Sequence, residues 1–555
     1  MERRVGVRPI VPLAPRVRGR FSCSRPGSAF LYALIVCLAV SSSASAQPAA
    51  QGVFTYHNDP ARTGQNLNET ILTPRTVTSA AFGKLFAVPV DEQIYAQPLY
   101  MANVVIPDQG IHNVLYVATE NDTVYAFDAD APGAPLWQTS LLVNGGAAVP
   151  ISDLDPNCTD LVPVIGVTGT PVIDPTTNTL YVVAKTKEGP SDAPAYVQRL
   201  HALDIATGAE KFAGPVTIAA TVPGAGDGGD GTTLTFNPLR QLNRPGLALV
   251  NGVVYIAFGS HCDLDPYHGW VFGYDARFFT QVGVFVTTPN GRAGSIWQSG
   301  GSVAADAGNN LYVMTGNGTF DADLGGMDFG DSILKLAPIT LTAADYFTPF
   351  DQAYLEANDL DLGSGAPMVL PDQNDAAAPR LLVGAGKEGT IYLVDRDNLG
   401  QFCGCSGDGQ IVQSLPSALG MYFGTPAVWN NLVYFLATFD VLKAFSISGG
   451  QLSISPTSQA TTAFGFPGAT VSVSANGATD GIVWAVDTSG YRTHGPAVLH
   501  AYDASDVATE LYNSAQAVGG RDTLGPAVKF VVPTVVNGKV YVGTANELDV
   551  FGLLP

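Results

Sequence analysis

Short apolar runs with an aromatic residue at or near the centre recur in pairs along the chain. The first pair is residues 114–117 (VLYV) and 124–128 (VYAFD), and the second is residues 180–183 (LYVV) and 200–204 (LHALD). Turn residues such as Asn251-Gly252 stand between such runs, and the 3.6-residue periodicity of helices is nearly absent. Short strands joined by Asn-Gly turns are typical of antiparallel β-sheets.

The pattern returns eight times, about every 60 residues. Repeated units that each form a four-stranded sheet are typical of a β-propeller. The last unit supplies three strands before Pro555, and residues 82–88 (FGKLFAV) form a strand that belongs to no unit. We therefore predict an all-β fold, a single eight-bladed β-propeller of four-stranded antiparallel blades over residues 82–555. The N-terminal strand closes the ring, since pairing it with the eighth blade removes two free edges, and residues 47–81 form a lead-in.

Residues 1–46 have the order of a secretory signal peptide. Seven arginines precede an apolar run at residues 29–40, and small residues ending in Ala46 follow it. The run is too short to span a bilayer. These features predict cleavage after Ala46 and a periplasmic or extracellular location.

Charge and composition exclude several classes of protein. The formal net charge is −21, with charged residues at 14% and apolar residues at 46%. An acidic chain without a basic stripe is not a nucleic-acid binder, and the apolar content excludes a disordered chain. We predict a monomer with no membrane span after the leader.

Four cysteines follow the leader, and four cysteines allow three pairings. In a propeller, the connections between blades and the loops between second and third strands share one face. Cys158 and Cys262 fall on that face in neighbouring blades, which favours a disulfide between them. Cys403 and Cys405 form either a loop disulfide or a free pair. His261 and His268 lie on the same face, so a transition-metal site formed by these two histidines is an alternative interpretation.

The ends of the repeats carry a family resemblance. Residues 201–208 (HALDIATG) and 500–504 (HAYDA) resemble pyrroloquinoline-quinone (PQQ) repeats, in which a strand ends in an Ala-x-Asp-x-x-Thr-Gly turn. Residues 312–318 (YVMTGNG) and 386–396 (GKEGTIYLVDR) resemble the eight-bladed quinoprotein alcohol dehydrogenases. Residues 261–263 (HCD) resemble a group of secreted bacterial propellers of this kind.

The resemblance implies a cofactor site that holds PQQ and Ca²⁺. It implies that Asn317 is an amide ligand of the metal and that Lys387 binds the quinone oxygens. It assigns Asp359 as the general base that takes the alcohol proton and Asp361 as a metal ligand, although the two aspartates are interchangeable in this segment. The glutamate ligand of the family has no counterpart, and Asp263 lies near its place as a further metal ligand.

Departures from the family pattern leave two classes of function. The family sets a tryptophan beneath the cofactor in the first strand of the fourth blade, where this chain has small residues at 302–305 after Trp297. The adjacent-cysteine disulfide and the haem-attachment motif are also absent. One class is a non-catalytic binding or scaffold protein of the cell envelope or exterior, with a protein or polysaccharide partner. The alternative is a PQQ- and Ca²⁺-dependent oxidoreductase that oxidises a small alcohol or sugar.

Overall fold

The computed structural model describes residues 51–555, so the predicted leader lies outside the described residues. Eight small antiparallel sheets form the eight blades of a propeller, as the repeat pattern predicted. Within residues 51–555, no helix has the length and hydrophobicity of a membrane span.

Each blade has four main strands, numbered from the central channel outward. Blades 1 to 4 comprise Leu99–Ile106, Gly110–Ala118, Thr123–Asp128 and Trp137–Ser140; Val172–Asp174, Thr179–Glu188, Ala195–Asp204 and Val216–Thr217; Ala248–Val250, Val253–Ser260, Trp270–Asp275 and Gln281–Val286; and Ala304–Ala305, Leu311–Met314, Ile333–Leu336 and Ala343–Phe347. Blades 5 to 8 comprise Met368–Val369, Leu381–Ala385, Ile391–Asp395 and Gln413–Leu415; Ala427–Trp429, Leu432–Phe435, Asp440–Ser448 and Ser458–Phe464; Ser472–Asn476, Thr479–Asp487, Val498–Asp503 and Glu510–Asn513; and Thr534–Val536, Lys539–Gly543, Glu547–Leu553 and Phe82–Pro89.

Other elements of residues 51–555 are short. The remaining strands are Gly52–Val53, Gln65–Asn66, Ala147–Pro150, Val164–Ile165, Thr221–Pro223, Thr233–Thr235, Gln241–Leu242 and Gln451–Leu452. The described α-helix is Gln352–Ala357, and the 3-10 turns are Ile151–Asp153, Gln298–Gly300, Ala322–Leu324, Leu362–Ser364, Ser489–Thr493, Ser514–Gln516 and Val518–Gly520.

The N-terminal strand Phe82–Pro89 closes the ring. It pairs antiparallel with Glu547–Leu553, from Phe82 opposite Leu553 to Pro89 opposite Glu547, and becomes the outer strand of blade 8. The prediction of an N-terminal closing strand is confirmed. Closure gives blade 8 the same four strands as the others and joins the two ends of the propeller by backbone hydrogen bonds.

The aromatic residue of the repeat links neighbouring blades. A tyrosine in the second strand donates its hydroxyl to a backbone carbonyl in the turn between the third and fourth strands of the next blade. These bonds run from Tyr116 to Ile205 (3.0 Å), Tyr181 to Ala276 (2.8 Å), Tyr434 to Ala504 (2.7 Å) and Tyr541 to Ala129 (3.2 Å). The aspartate that ends the third strand shapes that turn, since Asp204 accepts the backbone N–H of Ala206 at 3.0 Å.

Residues 51–66 run around the inside of the channel and contact its innermost strands. Gly52–Val53 pairs with the first strand of blade 1, and Gln65–Asn66 pairs in parallel with that of blade 7. Between them, carbonyl oxygens accept backbone N–H groups of blades 2, 4, 5 and 6: Phe54 from Ile173 (2.7 Å), Pro60 from Ala305 (2.7 Å), Ala61 from Val369 (2.9 Å) and Thr63 from Val428 (3.0 Å). We call residues 51–66 the channel segment.

Arg62 fixes the fold of the channel segment. Its side chain is fully buried, and all three of its nitrogens donate hydrogen bonds. Nε and Nη2 reach the Val303 carbonyl of blade 4, while Nη1 reaches Thr55 Oγ1 and the carbonyls of Tyr56 and Asp59. The guanidinium therefore satisfies acceptors that would otherwise be buried without a partner.

We expect Arg62→Met to lower the free energy of unfolding by at least about 3 kcal/mol, because several buried acceptors lose their donor at once. Denaturant unfolding followed by circular dichroism measures this change. Arg277→Met, at an exposed arginine in a turn of blade 3, removes the same charge and should shift stability by no more than about 0.5 kcal/mol. Equal stability of the two variants would contradict the role of Arg62.

Candidate functional site

A cavity of about 860 Å³ lies over the channel, on the face that carries the connections between blades. We call it the axial pocket. Each of the eight connections places at least one side chain in its lining. In blade order these are Tyr95, Asp160, Arg244, Trp297, Asp361, Phe423, Phe466 and Phe530. Loops between second and third strands complete the lining with, among others, Asp263 of blade 3 and Lys387 of blade 5.

The structure brings the sequence-predicted site residues together: Asp263, Asp361 and Lys387 line one part of the axial pocket, and Asn317 and Asp359, which are not part of that lining, bond to Asp361 and Lys387. Lys387 Nζ lies 2.7 Å from Asp359 Oδ1 and 2.6 Å from Asp361 Oδ2. Asn317 donates its backbone N–H to Asp361 Oδ1 at 2.8 Å and its side-chain amide to Asp359 Oδ1 at 3.2 Å. We call these residues, with Asp263, the acidic side of the pocket.

Two glycines allow this convergence. A Cβ atom on Gly316 would stand 2.3 Å from Asp361 Oδ1, and one on Gly386 would stand 2.6 Å from the Asp361 carbonyl. The backbone of the Thr-Gly-Asn stretch and that of the Gly-Lys turn therefore approach Asp361 more closely than any other residue type permits. The two motifs identified in the sequence meet at one aspartate for this reason.

The acidic side carries more negative than positive charge. Burial alone lowers the pKa of Lys387, but Asp361 and Asp359 outweigh it and raise that pKa above its usual value. Loss of solvation and the nearby Asp361 raise the pKa of Asp263. Asn317 Oδ1 is buried and has no hydrogen-bond partner within residues 51–555. Three carboxylates face one ammonium group here, beside an amide oxygen that lacks a donor.

The donor chemistry of the acidic side suits a hard cation such as Ca²⁺, which takes carboxylate and amide oxygens. Asn317 Oδ1, Asp263 and Asp361 are the oxygens in question. Within residues 51–555, however, no three His, Cys, Asp or Glu side chains are grouped as metal ligands. Lys387 instead bridges Asp359 and Asp361, so cation binding requires these side chains to adjust.

Trp297 supplies an aromatic ring beside Lys387. The first strand of blade 4, in which the quinoprotein family has a tryptophan, has small residues in this chain. Lys387 Nζ stands 5.9 Å from its ring centroid, and Phe530 meets it edge-on at 6.4 Å. Residues 302–305 are small because neighbouring blades come close together at the channel. Ser302, for example, donates its hydroxyl to the Gly246 carbonyl of the preceding connection at 2.6 Å. The ring thus comes from the connection and not from the first strand.

A second part of the pocket lining carries positive charge, and its two principal cations, Arg244 and Lys529, were not singled out in the sequence. Arg244 Nη2 and Lys529 Nζ both donate to Asp160 Oδ1, at 2.8 and 3.2 Å. Burial raises the pKa of Asp160, but Arg244 and Lys529 outweigh it and hold that pKa well below its usual range. We call these residues the basic side. No sequence motif marks them, because they come from three separate connections.

The disulfide prediction is confirmed and the two candidate histidines have separate partners. Cys158 and Cys262 form a disulfide with Cα atoms 5.8 Å apart, and Cys403 and Cys405 form a second one. His261 is buried, and its Nε2 lies 2.8 Å from Lys185 Nζ. His268 instead contacts Thr288 Oγ1 and the Asp227 carbonyl. The two imidazoles do not converge on a common metal position.

Glu120 is a buried acid near the basic side. Its Oε2 accepts the Gly166 backbone N–H at 2.7 Å and the Thr168 hydroxyl at 3.1 Å, while Oε1 has no partner within the described chain. Burial raises the pKa of Glu120 to about 7, and the two donors only partly oppose the shift. The carboxyl group is therefore protonated in the folded protein at mildly acidic pH.

We expect Glu120 to make stability fall as the pH rises from about 4.5 to about 7. In that window the folded protein retains a proton that the unfolded chain has released, so raising the pH favours unfolding. Glu120→Gln keeps an oxygen acceptor but cannot ionise. The difference in free energy of unfolding between Glu120→Gln and the wild type should therefore shift in favour of the variant by on the order of 3 kcal/mol as the pH rises from 4.5 to 7.5. Urea unfolding at several pH values measures this, and parallel profiles would contradict the assignment.

Comparisons with known proteins give a likeness of fold. No protein-family model matches the chain, and no curated protein matches it significantly. Among solved structures it is similar to a europium-containing methanol dehydrogenase, with 14% identity and a TM-score of 0.57 over 90% of this chain and 98% of that one. It also aligns with BamB from Moraxella catarrhalis, with 12% identity and a TM-score of 0.44 over 85% and 99% of the two chains. The comparisons show the fold: the protein is an eight-bladed β-propeller similar in fold to that methanol dehydrogenase.

Proposed function

We propose that the protein is an exported oxidoreductase whose axial pocket binds PQQ with Ca²⁺ and oxidises an alcohol or sugar. The observation that carries this proposal is the convergence of Lys387, Asp359, Asp361 and Asn317, of which Lys387 and Asp361 line a cavity of about 860 Å³ together with Trp297. That volume lies within the range of small-molecule sites, about 300–1,000 Å³. The similarity of fold to a methanol dehydrogenase supports the same class.

The residues of the acidic side have distinct proposed roles. Asn317 Oδ1, Asp361 and Asp263 would hold the cation, since the first is an oxygen without a donor and the other two are carboxylates. Lys387, whose ammonium group stands 5.9 Å from the centre of the Trp297 ring, would bind oxygens of the quinone. When bound, PQQ supplies a two-electron acceptor for the substrate carbon and Ca²⁺ supplies a Lewis acid beside it.

Asp359 is the proposed base for the substrate hydroxyl. Its side chain is 75% exposed, whereas that of Asp361 is 13% exposed, lines the pocket and accepts hydrogen bonds on both oxygens. Asp359 Oδ1 accepts from Lys387 and Asn317, which fixes the carboxylate and leaves Oδ2 without a partner in the described residues. A substrate hydroxyl can therefore donate to Oδ2 and pass its proton there.

Titration of PQQ into the purified protein, with and without Ca²⁺, tests the proposal. We expect stoichiometric, Ca²⁺-dependent binding measured by calorimetry or absorbance. Lys387→Met should weaken it at least about tenfold, because a buried charge-assisted contact is lost. Asn317→Ala should remove most of the Ca²⁺ dependence. Activity with alcohols, sugars and an artificial electron acceptor follows once binding is shown.

Lys539→Met is the matched control. Lys539 Nζ also lies 2.7 Å from a carboxylate, Asp130 Oδ1, but outside the axial pocket. This variant should bind PQQ like the wild type. No binding at high micromolar PQQ would overturn the oxidoreductase proposal and favour the non-catalytic binding or scaffold class predicted from the sequence.

A further inference from the structure

Arg244 is a buried arginine whose donors are mostly unused. Three arginines are buried among residues 51–555, namely Arg62, Arg244 and Arg396. Arg62 donates from all three nitrogens, and Arg396 has acceptors at Nε and Nη2 and an aspartate 3.6 Å from Nη1. In the described residues, Arg244 donates only from Nη2, to Asp160. A buried guanidinium with free N–H groups in a cavity wall is suited to bind an oxygen-rich ligand.

The aromatic lining holds the Arg244 guanidinium in place. Its central carbon stands 5.7 Å from the Tyr95 ring centroid and 5.2 Å from that of Phe530. Lys529 Nζ lies 5.6 Å from the Phe530 ring centroid and shares Asp160 with Arg244. Two cations thus share one carboxylate, so this side of the pocket retains positive charge. A planar fork of donors held in this way matches the two oxygens of a carboxylate.

One small molecule can contact both sides of the axial pocket. Lys387 stands over Trp297, Trp297 meets Phe530, and Phe530 bears Arg244 on its face. The acidic and basic sides are therefore separated by two aromatic rings in contact. A ligand that matches this arrangement has a hydroxyl group for the acidic side, a flat apolar centre for the aromatic rings and an acid group for the basic side.

We propose that Arg244 and Lys529 bind a carboxylate of the substrate, so that the substrate class is a hydroxyl-bearing carboxylate with an aromatic or other flat apolar centre. The inference rests on the proposed function, since it names the substrate of that site. The hydroxyl lies toward Asp359 and the acid lies against Arg244. Arg244 is a specificity-determining residue and takes no part in proton transfer.

Binding of two matched probes tests this inference without any quinone. The probes are 4-(hydroxymethyl)benzoate and 4-methylbenzyl alcohol, which share the ring and the hydroxyl and differ in the carboxylate. Calorimetry with the wild-type protein should give about tenfold tighter binding of the carboxylate, because a charge-assisted pair is gained. Arg244→Met should reduce this preference to within about twofold. Arg277→Met removes the same charge outside the pocket and should leave the preference unchanged.

Two further variants keep the test decisive if Arg244→Met is unstable. Arg244→Lys keeps the charge but lacks the planar fork and should retain part of the preference, and Lys529→Met should also reduce it. Circular dichroism establishes that each variant is folded. A wild-type protein that binds both probes equally, or a folded Arg244→Met that keeps the full preference, would overturn the inference.

Titration of PQQ into Arg244→Met separates this inference from the proposed function. Unchanged PQQ affinity supports a substrate carboxylate at Arg244. A loss of more than about fivefold would place a quinone carboxylate there and overturn the substrate assignment. If the wild type binds no PQQ but prefers the carboxylate probe, the proposed oxidation fails while the carboxylate site stands.

Discussion

The path of residues 51–66 around the channel is the constraint on which the rest of the structure depends. Eight blades that converge on an axis leave a channel lined by backbone, and unpaired N–H groups buried there are costly. The channel segment supplies carbonyl oxygens to these groups blade after blade, and Arg62 in turn satisfies the segment's own carbonyls. The segment and the closing strand Phe82–Pro89 therefore tie the two ends of the ring together, one inside and one outside.

The channel segment also determines the position of the axial pocket. The first strand of each blade runs from the face of the connections toward the opposite face. Ala305 and Val369, which bond to the segment, are the last residues of their strands, whereas Trp297 and Asp361 precede those strands. The pocket thus lies at one end of the channel and the segment toward the other. Tyr56 of the segment lines a small cavity with Arg244 and Phe530, which places it close to the pocket lining.

Charge in the axial pocket is divided into two sides, and each is held by groups of opposite charge. Lys387 is held between Asp359 and Asp361, and Asp160 is held between Arg244 and Lys529. Removal from water penalises charged groups unless they are paired. Replacement of one member of either cluster would therefore leave its partners as uncompensated buried charges. An excess of carboxylate remains on one side and an excess of cation on the other. This division is the basis of the proposals that the pocket holds a cation beside one end of a ligand and a carboxylate at the other.

The sequence by itself determined the fold, because a strand's alternation and turn residues are local and the repeat shows them eight times. The repeat also predicted the closing strand and the Cys158–Cys262 pair, and the resemblance to quinoprotein motifs pointed to Asn317, Asp361 and Lys387, which the structure places in contact. Only the tertiary structure decided that Trp297 supplies the ring beside Lys387 and that Arg244 and Lys529 meet at Asp160 in the pocket lining. These side chains come from irregular connections between blades, whose paths follow from packing around the channel and not from any local pattern.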